Sequence, residues 1–334
     1  MTAKERVKMA LRHEQPDICP WHLDFTQVAH QKMVEYTGES DFVAKLGNHL
    51  AACEPLRPDA WVEIEPDLWR DQFGVVWNRT IDKDIGNPER LIFPEPTLGD
   101  YQWPDPDDPA RWEGFGEKIE SVEDKFVTME IGFSLFERAW TMRGMVNLMM
   151  DMHDHPRFVD DLLDAITEFN LGLIRRAVTY HIDGARFGDD WGQQQGMLMG
   201  PKLWRRFIKP RLARMYEAVH AAGKYVLIHC CGDVYEIFPD LIEVGVDVFN
   251  PFQPEVIDVY EAKREYGKYL TFHGGVSTQR LLPYATPEEV KTEARRLMAK
   301  IGRDGGYIIA PAHSIPKDVP AENMAALIEA VQGQ

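Results

Sequence analysis

The stretch Tyr225–Phe238, YVLIHCCGDVYEIF, carries an apolar strand candidate straight into His229, Cys230, Cys231 and Gly232. Residues i and i+2 of a strand share a face, so His229 and Cys231 point one way and Cys230 the other. Consecutive cysteines bridge only with strain, which leaves Cys230 as a small buried hydrophobe. An imidazole and a thiol on one face suit a borderline-soft ion such as zinc. A catalytic zinc draws three ligands from the protein and keeps a fourth position open. His313 lies 82 residues past Cys231, at the end of the apolar run GYIIAPAHS. It is the natural third ligand if both run-ends face one mouth. On spacing alone, a hydrogen-bonded histidine and an inert thiol also fit.

Other chemistry-bearing side chains end comparable runs. Asp189 and Asp190 close GARFGDD, and Trp191 follows. By alternation one of these carboxylates faces the mouth as a general base or substrate ligand; the other reading is a helix cap. Glu130 ends FVTMEI in the same manner. His22 and Asp24 share a face in ICPWHLDF and form either an orienting pair or a satisfied internal hydrogen bond. Asn250 ends VDVFN, and His273 ends YLTFHGG, where the glycines signal close approach of backbone or ligand. Asp189, Asp190, Glu130 and His273 are therefore the candidate catalytic groups. His22, Asp24, Trp191 and Asn250 are the candidate substrate contacts.

The elements that must position these groups are short apolar runs, each followed by a helical period. Helices are expected over about 156–180, 201–220, 234–244, 256–266, 287–301 and 321–331. Strands separated by helices form parallel β-α units. Seven strands are counted with ICPWHLDF as the first, and the looser region after it has room for an eighth. No glycine-rich dinucleotide turn follows any of them. The reading is one α/β domain over residues 1–334, a distorted (β/α)8 barrel with its chemistry at the C-terminal strand ends.

Residues 42–118 break the rhythm. They are rich in Pro and Asp, hold Trp61, Trp69, Trp77, Trp103 and Trp112, and contain FGVVWNR, one arm of a hairpin. They read as an insertion that forms a lid or an oligomer contact, or else fills core. Met142, Met145, Met149, Met150 and Met152 read as a cofactor-facing patch or as adaptable packing.

Asp and Glu number 54 against 37 Lys and Arg, for a formal charge of −17. That balance disfavours nucleic acid and anionic membranes as partners. Four cysteines are too few for a disulfide framework in a chain of this size. The start MTAKERVKMALRHEQPD lacks the apolar core of a secretory signal, and no run is long enough to span a bilayer. A cytoplasmic location is expected.

The C-terminal part resembles the uroporphyrinogen decarboxylase superfamily, which includes zinc-dependent corrinoid methyltransferases. The matching stretches are GDDWGQQQGMLMGPKLWRRFIKPRLARMYEAVHAAGKYVLIHCCG, LIEVGVDVFNPFQPE, LTFHGGVSTQRLL and GGYIIAPAHSIPKDVPAENMAALIEAV, in the family's order. The resemblance covers most of residues 125–334, with a fainter match over Ala3–Phe25. It implies a distorted (β/α)8 barrel, often dimeric, with a cleft at the C-terminal rim.

Within that superfamily the residues favour one branch. The decarboxylases bind a tetrapyrrole with many carboxylates through an Arg-rich motif after the first strand. Here no Arg or Lys lies between Arg12 and Lys32, and Asp24 stands where cationic help is needed. A polycarboxylate would be repelled. The methyltransferases carry His-x-Cys after the strand that His229 ends and a third ligand, Cys, near the last strand. This chain matches the first two with His229 and Cys231 and has His313 at the third place, where the decarboxylases also have a metal-free His.

If zinc binds, two neutral imidazoles and one thiolate leave the site at net +1, a stronger Lewis acid than a His-Cys-Cys set. That favours polarising a methoxy oxygen over activating a thiol. The resemblance thus implies transfer of a methyl group from a small O-methyl donor to a corrinoid. The chain has no D-x-H-x-x-G corrinoid motif, so a separate corrinoid protein would supply that cofactor. The alternative is a lyase of the decarboxylase type acting without metal.

Overall fold

Short apolar runs separated by amphipathic helices cannot pair with themselves, so each pairs with the next run that a crossover delivers. The computed structural model describes all 334 residues. Seven such runs form one parallel sheet: β1 (Leu50–Cys53), β2 (Phe126–Ile131), β3 (Gly184–Gly188), β4 (Tyr225–His229), β5 (Val248–Phe252), β6 (Thr271–Val276) and β7 (Tyr307–Pro311). Their spatial order is their sequence order.

The expected first strand, ICPWHLDF, does not form as a regular strand. It makes two isolated bridges, Trp21 to Ile309 and Phe25 to Ile315. Pro16 and Pro20 remove backbone donors on its approach, and the Asn48 side chain supplies ladder-like bonds instead. Its amide accepts from Leu23 N at 2.8 Å and donates to Leu23 O at 2.9 Å. The segment still joins the sheet's two edges. Ile309 N donates to Pro20 O at 2.9 Å on one side, and His49 N donates to Trp21 O at 3.0 Å on the other. A curled sheet closed by this eighth stave is the distorted barrel.

The barrel floor is apolar. Leu50, Phe126, Leu227, Val248 and Ile308 point inward and pack against Val7 and Leu11 of the helix Ala3–Leu11. That helix opens with a capping box between Thr2 and Glu5, and Gly306 N donates to its Ala10 carbonyl at 2.8 Å. Higher in the barrel the inward positions turn polar: Glu130, Arg186, His229, Asn250 and His273. The outer layer follows the expected periods closely. The longest helix runs Pro156–Ala177 and buries Val159, Leu162, Leu163 and Ile166.

The irregular region divides in two. Its early part, Leu50–Cys53, is not insertion at all but strand β1 of the barrel. The excursion proper holds an antiparallel sheet of Trp61–Glu65, Leu68–Asp71, Val76–Asn78 and Asn87–Pro88, so FGVVWNR is indeed a hairpin arm. Trp77 and Trp112 are buried, and Trp61 and Trp69 flank Arg79 at 4.7 and 5.2 Å. The methionine run breaks at Gly144, which sits at φ 85° between two helices. Met142 and Met152 are buried while Met150 is exposed, so the run forms no single face.

Asp71 fastens the excursion to the barrel. Its carboxylate accepts from Phe73 N, Val75 N and Trp77 Nε1 at 2.9 to 3.1 Å, and meets Arg138 Nη1 at 2.6 Å. Both partners of that ion pair are almost wholly buried. Asp71→Ala strands a buried guanidinium and three donors, and should cost about 3–5 kcal/mol. Urea unfolding should show a lowered midpoint, with a smaller loss for Asp71→Asn.

Candidate metal centre

Strand β4 ends at His229, and Cys231 follows on the same face. Cys230 turns away and is fully buried, its sulfur accepting from Trp191 N at 3.2 Å. The next residue must be glycine. Gly232 sits at φ 86°, and a Cβ there would lie 2.4 Å from Gln193 N. On the facing loop, a Cβ at Gly192 would meet Cys231 O at 2.6 Å. The two backbones touch, and that contact with the Asp190 carboxylate holds Cys231. Asp190 Oδ1 accepts from Cys231 N at 2.7 Å. His313 reaches the same place from the loop after β7, its ring 5.5 Å from that of His229. One ligand atom from each of His229, Cys231 and His313 lies within 4.8 Å of the others.

Asn250 decides which nitrogen of His229 is free. Its Nδ2 donates to the His273 carbonyl at 3.0 Å, so its Oδ1 must accept. Oδ1 lies 2.7 Å from His229 Nδ1 and 3.1 Å from an Arg186 guanidinium nitrogen. Nδ1 therefore carries the proton, and Nε2 presents its lone pair toward Cys231 Sγ at 3.4 Å. Arg186 also lies 3.2 Å from Nδ1, but two donors cannot bond, so its hydrogen bond belongs to Asn250. Tetrahedral zinc at ordinary bond lengths holds a nitrogen and a sulfur ligand about 3.5 Å apart. The His229–Cys231 pair already has that separation, and exposed His313 needs only a side-chain adjustment. The residues present fit a zinc-sized ion.

The electrostatics keep the imidazoles neutral. Burial, then the charge of Arg186, lowers His229 to about 4. Burial lowers His22 to about 4, and burial with the His22 and Arg186 charges drives His273 well below the usual range. Cys231 moves the other way, its thiol held above the ordinary range by burial and by the Asp190 carboxylate.

Three expected roles change. Asp189 is not a mouth carboxylate. It accepts from Leu135 N, Phe136 N and Glu137 N at 3.3, 3.0 and 2.8 Å and from the Trp191 indole, so it caps the helix Phe136–Arg143. Trp191 is core rather than substrate contact: it is buried, bonded to Asp189, and edge-on to Trp204 at 5.4 Å. Asn250 is buried with both amide atoms engaged, and positions His229 rather than touching substrate.

The remaining candidates do gather around the mouth. Asp190 stands beside Cys231. Glu130 meets Arg186 at 3.3 Å, its carboxyl raised to about 6 by burial against the pull of that charge. His22 and His273 pack edge to face at 5.6 Å, and neither ring nitrogen of buried His273 has a partner. Asp24 is exposed at the rim and accepts from Ser314 Oγ at 2.6 Å.

Two residues escaped the sequence reading. Arg186 is the one cation among the inward-facing strand positions; its signal was a charge at mid-strand in GARFG. Glu137 is raised well above the carboxyl range by burial and by Asp190 and Asp189, and Asp190 N–H lies against it. Nothing local in FERAW marks it.

Residues 117–334 match the family model described as uroporphyrinogen decarboxylase (URO-D). Among curated proteins, the chain is 26% identical over 216 residues to a uroporphyrinogen decarboxylase of Chlorobaculum parvum, covering 60% of this chain and 59% of that one. It is 22% identical over 195 residues to a methylated-thiol–coenzyme M methyltransferase of Methanosarcina mazei, covering 58% of this chain and 50% of that one. The chain spans about half the length of the curated relatives it matches. A solved methyltransferase from Methanosarcina mazei superposes with a TM-score of 0.74 at 19% identity, covering 100% of this chain and 99% of that one. That likeness establishes the barrel fold.

Asn250→Ala should leave the fold intact, free the His229 ring to rotate, and weaken zinc about 10–100-fold in competition with a chromophoric chelator. Because Cys231 holds its proton, metal uptake must release it. Zinc affinity should therefore fall as pH is lowered from 8 to 6, by about tenfold per unit for one proton. Calorimetry in buffers of different ionisation enthalpy counts that proton.

Proposed function

The chain belongs to the uroporphyrinogen decarboxylase family, and from that premise we propose that it is a methyltransferase. It takes a methyl group from a small O-methyl donor and passes it to a corrinoid carried on a separate protein. His229, Cys231 and His313 hold zinc. The observation that carries this reading is the convergence of those ligand atoms within 4.8 Å, with the His229 lone pair already aimed at the shared point.

Zinc at that point supplies Lewis acidity toward the donor oxygen. The chain's own residues do the rest. Asn250 and Arg186 fix His229, and the low proton affinity of that ring keeps it a neutral donor throughout the physiological range. Asp190 steadies the Cys231 backbone. A reduced corrinoid would accept the methyl carbon, and the C–O electron pair left on oxygen would need a proton. Burial, with Asp190 and Asp189 beside it, raises the Glu137 carboxyl well above its usual range, and Asp190, whose N–H lies against it, in turn holds Cys231, so Glu137 would be the acid for that task. His273 lines the interior as a further polar contact for the donor, while Glu130, paired with Arg186, borders the aromatic cavity under the insertion. A mouth with no Lys or Arg in its wall also fits this reading better than a decarboxylase acting on a polycarboxylate, which would need an arginine cluster to receive it.

Purified protein should contain about one zinc per chain, and His313→Ala should lose most of it without unfolding. Mixed with a Co(I) corrinoid protein and an O-methyl donor, the wild type should bleach the Co(I) absorption, and His229→Ala and Cys231→Ala should not. Absence of stoichiometric zinc, or carbon dioxide release from uroporphyrinogen, counts against the reading.

A further inference from the structure

The mouth opens beside the ligand trio into a cavity of about 480 Å³ whose wall includes Cys231 and His313. Five of the other eight residues in that wall carry uncharged hydrogen-bonding groups. Gln194, Gln253 and Gln279 bring carboxamides, and Thr278 and Ser314 bring hydroxyls. Gln253 is buried, and its Oε1 accepts from Gly232 N at 3.3 Å, so what it offers the cavity is a donor. Carboxamides and hydroxyls both donate and accept, as do the hydroxyls of a solute.

The wall also says what it does not suit. No Lys or Arg lines it, while Asp318 does, and Asp24 is bonded to Ser314 at 2.6 Å. An anionic group would enter against these carboxylates with no lysine or arginine to receive it, and only an ion at the ligand trio could draw it. A flat ring would find only Ala312 and Pro316 as hydrocarbon surface, and no Phe, Tyr or Trp to stack on. Aromatic side chains line a different cavity of about 200 Å³ under the insertion, with Trp61, Phe73, Phe133 and Phe169, and none of the three ligands borders it.

We propose that the mouth cavity selects a small, uncharged, hydroxyl-bearing aliphatic methyl ether as the donor. This rests on the methyl-transfer reading and names the substrate class of that same site. Gln279 and Gln194, exposed and free of structural bonds, are then specificity-determining residues.

The test reads binding apart from turnover. Zinc-loaded and zinc-free protein, without corrinoid protein, are each titrated with 3-O-methylglucose, methoxyacetate and 4-methoxybenzyl alcohol by saturation-transfer NMR and calorimetry, the zinc-free arm reading the cavity wall apart from direct ligation of the ion. The sugar ether should bind about tenfold or more tightly than either competitor, the discrimination expected of one or two good hydrogen bonds. Gln279→Leu should erode that preference, and Gln279→Lys should shift it toward methoxyacetate. Tighter binding of the aromatic or the anionic probe, no binding of the sugar ether, or indifference to both variants overturns the proposal. If the preference holds but no methyl transfer occurs with any donor, the methyl-transfer reading falls and the binding class stands. If transfer runs best from the aromatic ether, the donor class alone is overturned.

Discussion

The mouth of this barrel depends on one hydrogen bond, from His229 Nδ1 to Asn250 Oδ1 at 2.7 Å. Asn250 is the register partner of His229 on the neighbouring strand, and its own amide is anchored to the His273 carbonyl one strand further. The orientation of one imidazole is thus tied to three parallel strands, which shift only together. Burial strengthens the tie, because no water competes for either end. A histidine free to spin would present a proton and a lone pair in turn. Here the lone pair has a single direction.

The same interior carries one ion pair and shares its cation more widely. Arg186 lies at 3.3 Å from Glu130, a longish contact, and shares its remaining reach with Asn250. Its field adds to burial in keeping His229, His22 and His273 neutral. Asp190 pulls the other way on His229 and Asp24 on His22, and burial, the largest influence on all three rings, outweighs both. Arg186 therefore serves the site in two ways, by its hydrogen bond to Asn250 and by a charge that reinforces the effect of burial on the nearby rings.

Much of this was legible from local pattern. Strand alternation alone separates Cys230 from Cys231, and the helical periods locate the outer layer to within a few residues. The misread residues are those whose partners are distant in sequence. Asp189 caps a helix more than fifty residues earlier in the chain, and neither alternation nor spacing reports a donor brought in by a crossover. Trp191 goes with it as the indole that completes that cap. The first stave was expected as a strand from its apolar residues, yet its prolines and the Asn48 side chain replace the ladder with substitutes. β1 was hidden inside a region that otherwise reads as loop because its four residues are too few to show a period.

The apolar floor, where Val7 and Leu11 press against the inward side chains of five strands, makes the barrel a vessel with one doorway. Anything that reaches His229 along the axis enters by the opening through which a product must leave. If one of two reactants were carried on a bulky partner, as the proposed function has it, the two could not pass there side by side. Traffic at such a site would then be sequential: the small reactant would settle first, the large one would cover the entrance, and release would wait for it to withdraw.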